Sequence, residues 1–166
     1  MKRNKRSGFT LVEMLCAIVV LLLVTIGVVT GVQLAMRSYA KSVSDSEAQV
    51  LCATLTSSVS DKLRSSGKVT QDGDTITFFC QEIGNDAAFS QNEKGQVLLG
   101  DMKLLPARAY PHGLRAEVLL EQFDSTDNIF TVSITVTDAS GKELASNEFQ
   151  VAVLNPNQYD DSTPEP

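Results

Sequence analysis

The 166-residue chain has few of the side chains that metal sites and disulfide frameworks need. It contains one His and three Cys, too few for a site of several His ligands or a dense set of disulfides. It is also not basic, because 14 Lys and Arg against 20 Asp and Glu give a net charge of −6. That balance argues against a general electrostatic surface for nucleic acid. The length suits one ordinary domain with an appended segment and is short for a two-domain enzyme.

The chain does have a long apolar run close to its N-terminus. It follows a leader over residues 1–8 that has no acid and four basic side chains, Lys2, Arg3, Lys5 and Arg6. No charge occurs from Met14 to Met36, which as a helix would span about 34 Å, enough to cross a hydrocarbon core of about 30 Å. Because the positive charges precede this run, the sequence predicts one span of the cytoplasmic membrane, with the N-terminus in the cytoplasm and the rest exported.

Two ordinary targeting signals could share this pattern. One is a secretory signal cut after Ser38-Tyr39-Ala40, and the other is an uncleaved anchor. The apolar run is longer than the usual signal core and continues into an amphipathic pattern, which argues against the secretory signal. Glu13 argues against both, since a carboxylate in the membrane costs about 2.5 to 3.5 kcal/mol on insertion scales and usually has a partner.

The segment Gly8-Phe9-Thr10-Leu11-Val12-Glu13-Met14-Leu15 resembles the processing motif of type IV prepilins and the related pseudopilins. The resemblance implies that Gly8 is the last leader residue and that a membrane prepilin peptidase cuts after it. Phe9 would become the new N-terminus and be N-methylated. Glycine suits the position before the cut because it has no Cβ to obstruct an approaching enzyme. Removal of residues 1–8 would leave ten basic against 20 acidic residues, a net charge of −10.

The same resemblance implies a role for Glu13 in assembly with other pilin or pseudopilin subunits. Its carboxylate would pair with the α-amino group of Phe9 on a neighbouring subunit, which is largely cationic at neutral pH. We expect this pairing to attract subunits and to set their axial register, because a paired buried charge is far less costly than a lone one. The alternative is that Glu13 only reaches the membrane surface. An assembly platform and an ATPase in the membrane are the other implied partners, besides the lipid bilayer.

Three further features allow more than one reading. Gly27 and Gly31 form a G-x-x-x-G spacing, which is either a close-packing face for membrane helices or ordinary glycine usage. Cys52 and Cys80 could form a disulfide in an exported head or stay as two buried thiols. Acidic and amide oxygens recur over residues 124–128, where turn formation explains them better than calcium binding.

The remaining chain predicts an α+β fold, a long helix packed against a small antiparallel sheet. The helix is expected over 10–65, with an apolar stripe in its second half at Tyr39, Val43, Val50, Leu51, Leu55, Val59 and Leu63. Strands are expected over 74–80, 114–122, 129–137 and 143–153, with a hairpin between 87–91 and 96–99. The predicted organisation is a cleaved leader over 1–8, a membrane and assembly half of the helix over 9–36, an amphipathic half over 37–66, an antiparallel head over 67–154 and a flexible acidic tail over 155–166.

These features favour a structural subunit over an enzyme, and they call for no cofactor. The sole His, His112, lies in a turn sequence without a catalytic partner that the sequence singles out. Major pilins often have a proline in the membrane helix and a C-terminal cysteine pair, whereas here no proline precedes Pro106 and no Cys follows Cys80. We therefore expect a pseudopilin or a minor subunit of a surface pilus, a type II secretion system or a competence system. The alternative is a membrane-anchored binding module that does not polymerise.

Overall fold

A computed structural model describes residues 10–73 and 75–154 of the chain. It contains one long helix and nine short strands, and the α+β architecture expected from the sequence is confirmed within those residues. The chain forms two compact units that divide between Val43 and Ser44. The predicted leader (1–8) and tail (155–166) lie outside the described residues.

The helix, α1, extends over Leu11–Arg64, close to the predicted bounds. It ends where the sequence places Ser65-Ser66-Gly67, with Lys62 and Arg64 in its last turn, where cations favour the helix dipole. Ser66 closes the end, because its Oγ donates a hydrogen bond of 2.7 Å to the carbonyl of Leu63. The first unit contains the apolar part of α1, and the second contains its last six turns.

In the second unit, α1 buries one face against the sheets. That face consists of Ala48, Leu51, Cys52, Leu55, Val59 and Leu63. The prediction was right for four of these positions and wrong for Val50, whose side chain is 67% exposed. Val50 precedes Leu51 by one residue, and one residue turns a helix by about 100°, so both cannot face the same core. Tyr39, also assigned to the stripe, is exposed in the first unit.

The strands form three antiparallel sheets of three strands each among the described residues. The first joins β1, β2 and β3, the second joins β4, β5 and β6, and the third joins β7, β8 and β9. Their bounds are Val69–Asp72, Thr75–Cys80, Asn85–Ala87, Phe89–Gln91, Val97–Leu99, Met102–Lys103, Arg115–Asp124, Ile129–Thr137 and Glu143–Ala152. Two 3-10 helices, Ala107–Ala109 and Pro111–Gly113, lie between β6 and β7.

The β8–β9 hairpin and the β4–β5 hairpin occur where the sequence predicts them. The expected strand over 87–91 was wrong in one respect, because Ala87 ends β3 and pairs with Phe78, whereas Phe89 begins β4 and pairs with Leu99. The chain therefore passes from the first sheet to the second at Ala88. A single strand over 87–91 would have belonged to one sheet.

One hydrophobic core serves the sheets and the second part of α1. The alternating residues of β8 that the sequence assigns to the core, Phe130, Val132, Ile134 and Val136, are all fully buried. Aromatic rings connect the sheets, since the ring centroids of Phe78 and Phe89 lie 5.5 Å apart and those of Phe78 and Phe130 lie 6.1 Å apart. Such pairs stabilise beyond their buried area.

Candidate functional site at the start of the helix

The residues with the strongest sequence signal lie at the start of α1. Of these, Gly8, Phe9 and the basic side chains Lys2, Arg3, Lys5 and Arg6 are outside the described residues. The described residues begin with Thr10, one residue before the helix, and include Glu13 in its first turn.

Thr10 and Glu13 hydrogen-bond to each other in a reciprocal arrangement. The Thr10 backbone N–H and its Oγ1 hydroxyl both donate to Glu13 Oε2, each at 2.9 Å. In return, the Glu13 backbone N–H donates to Thr10 Oγ1 at 3.3 Å. This is a capping box, in which the residue before the helix and the third helical residue satisfy donors that the helix itself leaves unpaired.

The capping box gives the Glu13 carboxylate a fixed place at the positive end of the helix dipole. Only Oε2 is engaged, so Oε1 receives no hydrogen bond from any described residue. The carboxylate can therefore hold the cap and still accept a further donor.

The capping role of Thr10 was not predicted, although the sequence contains a signal for it. A Ser or Thr followed three residues later by an acid, before an apolar run, is the pattern of a capping box. Thr10-Leu11-Val12-Glu13 fits it.

From Met14 to Met36, α1 has no charged residue and its side chains are exposed. In the part of the chain that the structure describes, it is the one helix long and apolar enough to cross a membrane. The two threonines of its apolar part fit such an environment, since the hydroxyls of Thr25 and Thr30 donate to the carbonyls of Leu21 at 2.8 Å and Ile26 at 3.0 Å. Their polar groups are thereby satisfied within the helix, as a lipid environment requires.

Gly27 and Gly31 lie within this apolar part of α1. A Cβ added at either glycine would meet nothing within 4 Å. Four residues separate them, so they share one face of the helix and leave it open to a close neighbour.

A family model for the prokaryotic N-terminal methylation motif matches residues 3–29. This chain carries that motif. It is the type IV prepilin-like signature, and it includes the capping box and residues 14–29 of the apolar part of α1. No curated protein and no solved structure matches this chain.

The methylation motif supports a pilin- or pseudopilin-like protein. The motif and the apolar N-terminal helix together fit a single-pass, membrane-anchored protein. They also suggest a peptidase and other pilin subunits as partners.

The cysteines lie apart from the methylation motif, except for Cys16 within it. Cys16 is exposed, whereas Cys52 on α1 and Cys80 at the end of β2 are buried. All three are free thiols, so the structure does not form the Cys52–Cys80 disulfide that the sequence allowed. Burial raises the pKa of Cys52, which keeps its thiol protonated and unreactive.

The acidic loop after β7 forms a turn. Asp124 Oδ1 accepts hydrogen bonds from the backbone N–H groups of Thr126 at 2.8 Å and Asp127 at 3.4 Å. These hydrogen bonds lower the pKa of Asp124. Its carboxylate therefore stabilises the turn, and no cluster of metal-ligating side chains is present among residues 10–73 and 75–154.

Proposed function

We propose that this protein is a subunit, and a minor one, of a type IV pilus-like filament or of a secretion or competence pseudopilus. A prepilin peptidase cuts it between Gly8 and Phe9, and Phe9 is then N-methylated. The anchor part of α1 holds the subunit in the membrane until the assembly machinery moves it into the filament.

The observation that carries this proposal is the Glu13 carboxylate at the first turn of an otherwise apolar helix. One of its oxygens is occupied by Thr10, and the other is free of donors from the described residues. In the proposed filament, Oε1 accepts from the methylated amino group of Phe9 on a neighbouring subunit. The two charges then neutralise each other among apolar helices, where an unpaired charge would be costly.

The capping box makes a sharp test possible, because charge and cap can be removed separately. Glu13→Gln keeps a side chain that fits the same cap and loses the charge. Thr10→Ala keeps the charge and loses the cap. We expect Glu13→Gln to reduce incorporation into filaments at least about tenfold, the ratio that corresponds to loss of about 1.4 kcal/mol, and Thr10→Ala to reduce it much less.

The measurement is made in the native host on the full chain. Sheared filaments are quantified by immunoblot, and the N-terminus of the mature protein is identified by mass spectrometry. N-methyl-Phe9 in both variants, with incorporation lost in Glu13→Gln alone, is the expected result. Equal incorporation of the two variants would contradict the role of the charge, and an intact Met1 or a terminus at Lys41 would contradict the processing.

A further inference from the structure

The second compact unit has an apolar groove that is separate from the methylation motif. It has a volume of about 350 Å³ and lies where α1 passes the two 3-10 helices. Val50 and Leu51 form the helix wall, and Ala109 and Pro111 form the opposite wall. Val50 is 67% exposed, so its side chain faces this groove and not the core. This volume lies at the lower end of the range for ligand pockets.

Two charged residues flank the groove, and their situations differ. Glu47 is engaged, because its Oε2 lies 2.7 Å from Nδ1 of His112. Arg108 is exposed and has no ion pair or hydrogen bond with any residue in 10–73 or 75–154. The groove therefore presents apolar walls beside a cation without a partner among those residues. It suits an aromatic or apolar side chain that is followed by carboxylates.

We propose that residues Tyr159-Asp160-Asp161 of this same chain occupy the groove. The Tyr159 ring lies between Val50 and Pro111, and the two carboxylates face the Arg108 guanidinium. The chain's composition offers few alternatives of this kind, since it has three Tyr, and of these only Tyr159 is followed directly by two acids. Arg108 also stacks well on an aromatic face, which a lysine would do less effectively.

The chain leaves the third sheet at a place from which this contact is within reach. The Leu154 backbone N–H donates to the carbonyl of Arg64 at 3.0 Å, so the chain passes the C-terminal end of α1 there. Val50, which the Tyr159 ring would contact, precedes Arg64 by 14 residues, or about 21 Å of helix. Residues 155–159 span at most about 17 Å when extended, and the tyrosine ring reaches further.

The test is photocrosslinking of the full chain in detergent micelles. Tyr159 is replaced by p-benzoylphenylalanine, and unlabelled protein is mixed with an equal amount of ¹⁵N-labelled protein before irradiation. We expect crosslinks from position 159 to residues 46–54 or 107–111 within single chains, identified by mass spectrometry. Crosslinks between labelled and unlabelled chains would overturn the proposal, because a second copy of the protein would then occupy the groove. Crosslinks spread over other surfaces would also overturn it, because residue 159 would then not be bound in the groove.

A matched pair of charge reversals tests the contribution of Arg108. Arg108→Glu is expected to lower the crosslink yield about fivefold, because it sets three carboxylates together. Lys103→Glu changes the charge by the same amount on β6 and is expected to leave the yield unchanged. Equal yields in the two variants would contradict the ionic part of the proposal. None of these results depends on cleavage at Gly8 or on filament assembly, so the experiment is independent of the proposed function.

Discussion

At the scale of single residues, the first turn of α1 gives one carboxylate two compatible tasks. Glu13 completes the cap with Thr10 through Oε2 and leaves Oε1 available. A carboxylate held in one orientation loses less conformational freedom when it binds a partner than one on a free side chain would. The cap thus prepares Glu13 for the pairing that we propose between subunits.

Tyr110 is a second residue whose side chain makes a specific hydrogen bond, in this case to a buried backbone group. Its hydroxyl oxygen accepts a hydrogen bond of 3.0 Å from the Val97 backbone N–H, and both residues are buried. Burial raises the pKa of Tyr110, and the bond from Val97 opposes that shift. The hydroxyl therefore fixes β5 to the segment that joins the two 3-10 helices.

We predict that Tyr110→Phe lowers the free energy of unfolding by about 1 to 3 kcal/mol, the usual cost of leaving a buried donor without an acceptor. The measurement is denaturant unfolding of the full chain in micelles. Tyr39→Phe is the control, because Tyr39 is 74% exposed and should unfold like the parent. Equal stability of the two variants would mean that water or another group satisfies Val97.

At the scale of elements, the β4–β5 hairpin depends on a tight turn and on its contact with β7. Asn92 Oδ1 accepts hydrogen bonds from the backbone N–H groups of Lys94 and Gln96, and Gly95 has a φ of 74°. The Gly95 carbonyl accepts from the Ala116 N–H at 2.8 Å, which joins this turn to the neighbouring sheet.

Gly95→Ala is predicted to destabilise the protein more than Gly141→Ala. Both positions have a positive φ, so both variants incur strain of about 1 to 2 kcal/mol. A Cβ at Gly95 would also lie 2.5 Å from Cβ and Cγ of Arg115, whereas one at Gly141 would meet nothing within 4 Å. We expect Gly95→Ala to lower the free energy of unfolding by a further 1 to 3 kcal/mol, about the usual cost of overpacking.

Thermal and denaturant unfolding of the two glycine variants, side by side, is the check. A difference below about 0.5 kcal/mol would show that β7 moves away from the turn without cost, which would contradict the close approach of Arg115.

The elements that the sequence predicted well are those with enough residues to display a period. The part of α1 in the second unit and the β8–β9 pair have clear periods, and Phe130 to Val136 alternate without interruption. Strands β1 and β6, of four and two residues, are too short for any alternation to show, and the change of sheet at Ala88 depends on tertiary packing. The exposure of Val50 was not predicted, because Val50 and Leu51 both fit the apolar helical pattern and the sequence does not show which of them faces the core.

The candidate site was predictable to a different degree. Glu13 stands out because a charge is rare in an apolar run, and the methylation motif confirms the signature around it. The contact of Thr10 with Glu13 has a local sequence signal and could have been predicted. The groove beside Arg108 could not, since residues 46–54 and 107–111 meet only through the fold.

At the scale of the whole molecule, the two compact units have opposite characters. The first is dominated by exposed apolar side chains of α1, and the second buries its apolar residues in a core of its own. An apolar helix with every side chain exposed needs either lipid or other helices around it. In a filament subunit, neighbouring helices would replace the lipid around α1. In a lone anchor, the lipid would remain.

Cysteine crosslinking within the anchor part of α1 distinguishes these two outcomes. Cys16 is exposed and already present, while Cys52 and Cys80 are buried and should not react. Ile18→Cys adds a second exposed site, about 200° around the helix from Cys16. A subunit with neighbours on both sides should then give a ladder of dimers, trimers and longer products on oxidation in native membranes or sheared filaments.

The parent chain and the Cys16→Ser, Ile18→Cys double variant are the controls. Each has one reactive thiol per chain and can form dimers at most, so products longer than dimers must come from helices that contact neighbours on two faces. A ladder requires both thiols of one chain to form disulfides with different neighbours. Random collisions of single helices in the bilayer are not expected to produce such extended products. The same dimer-limited pattern in the two-thiol chain would therefore favour the membrane-anchored binding module over the filament subunit.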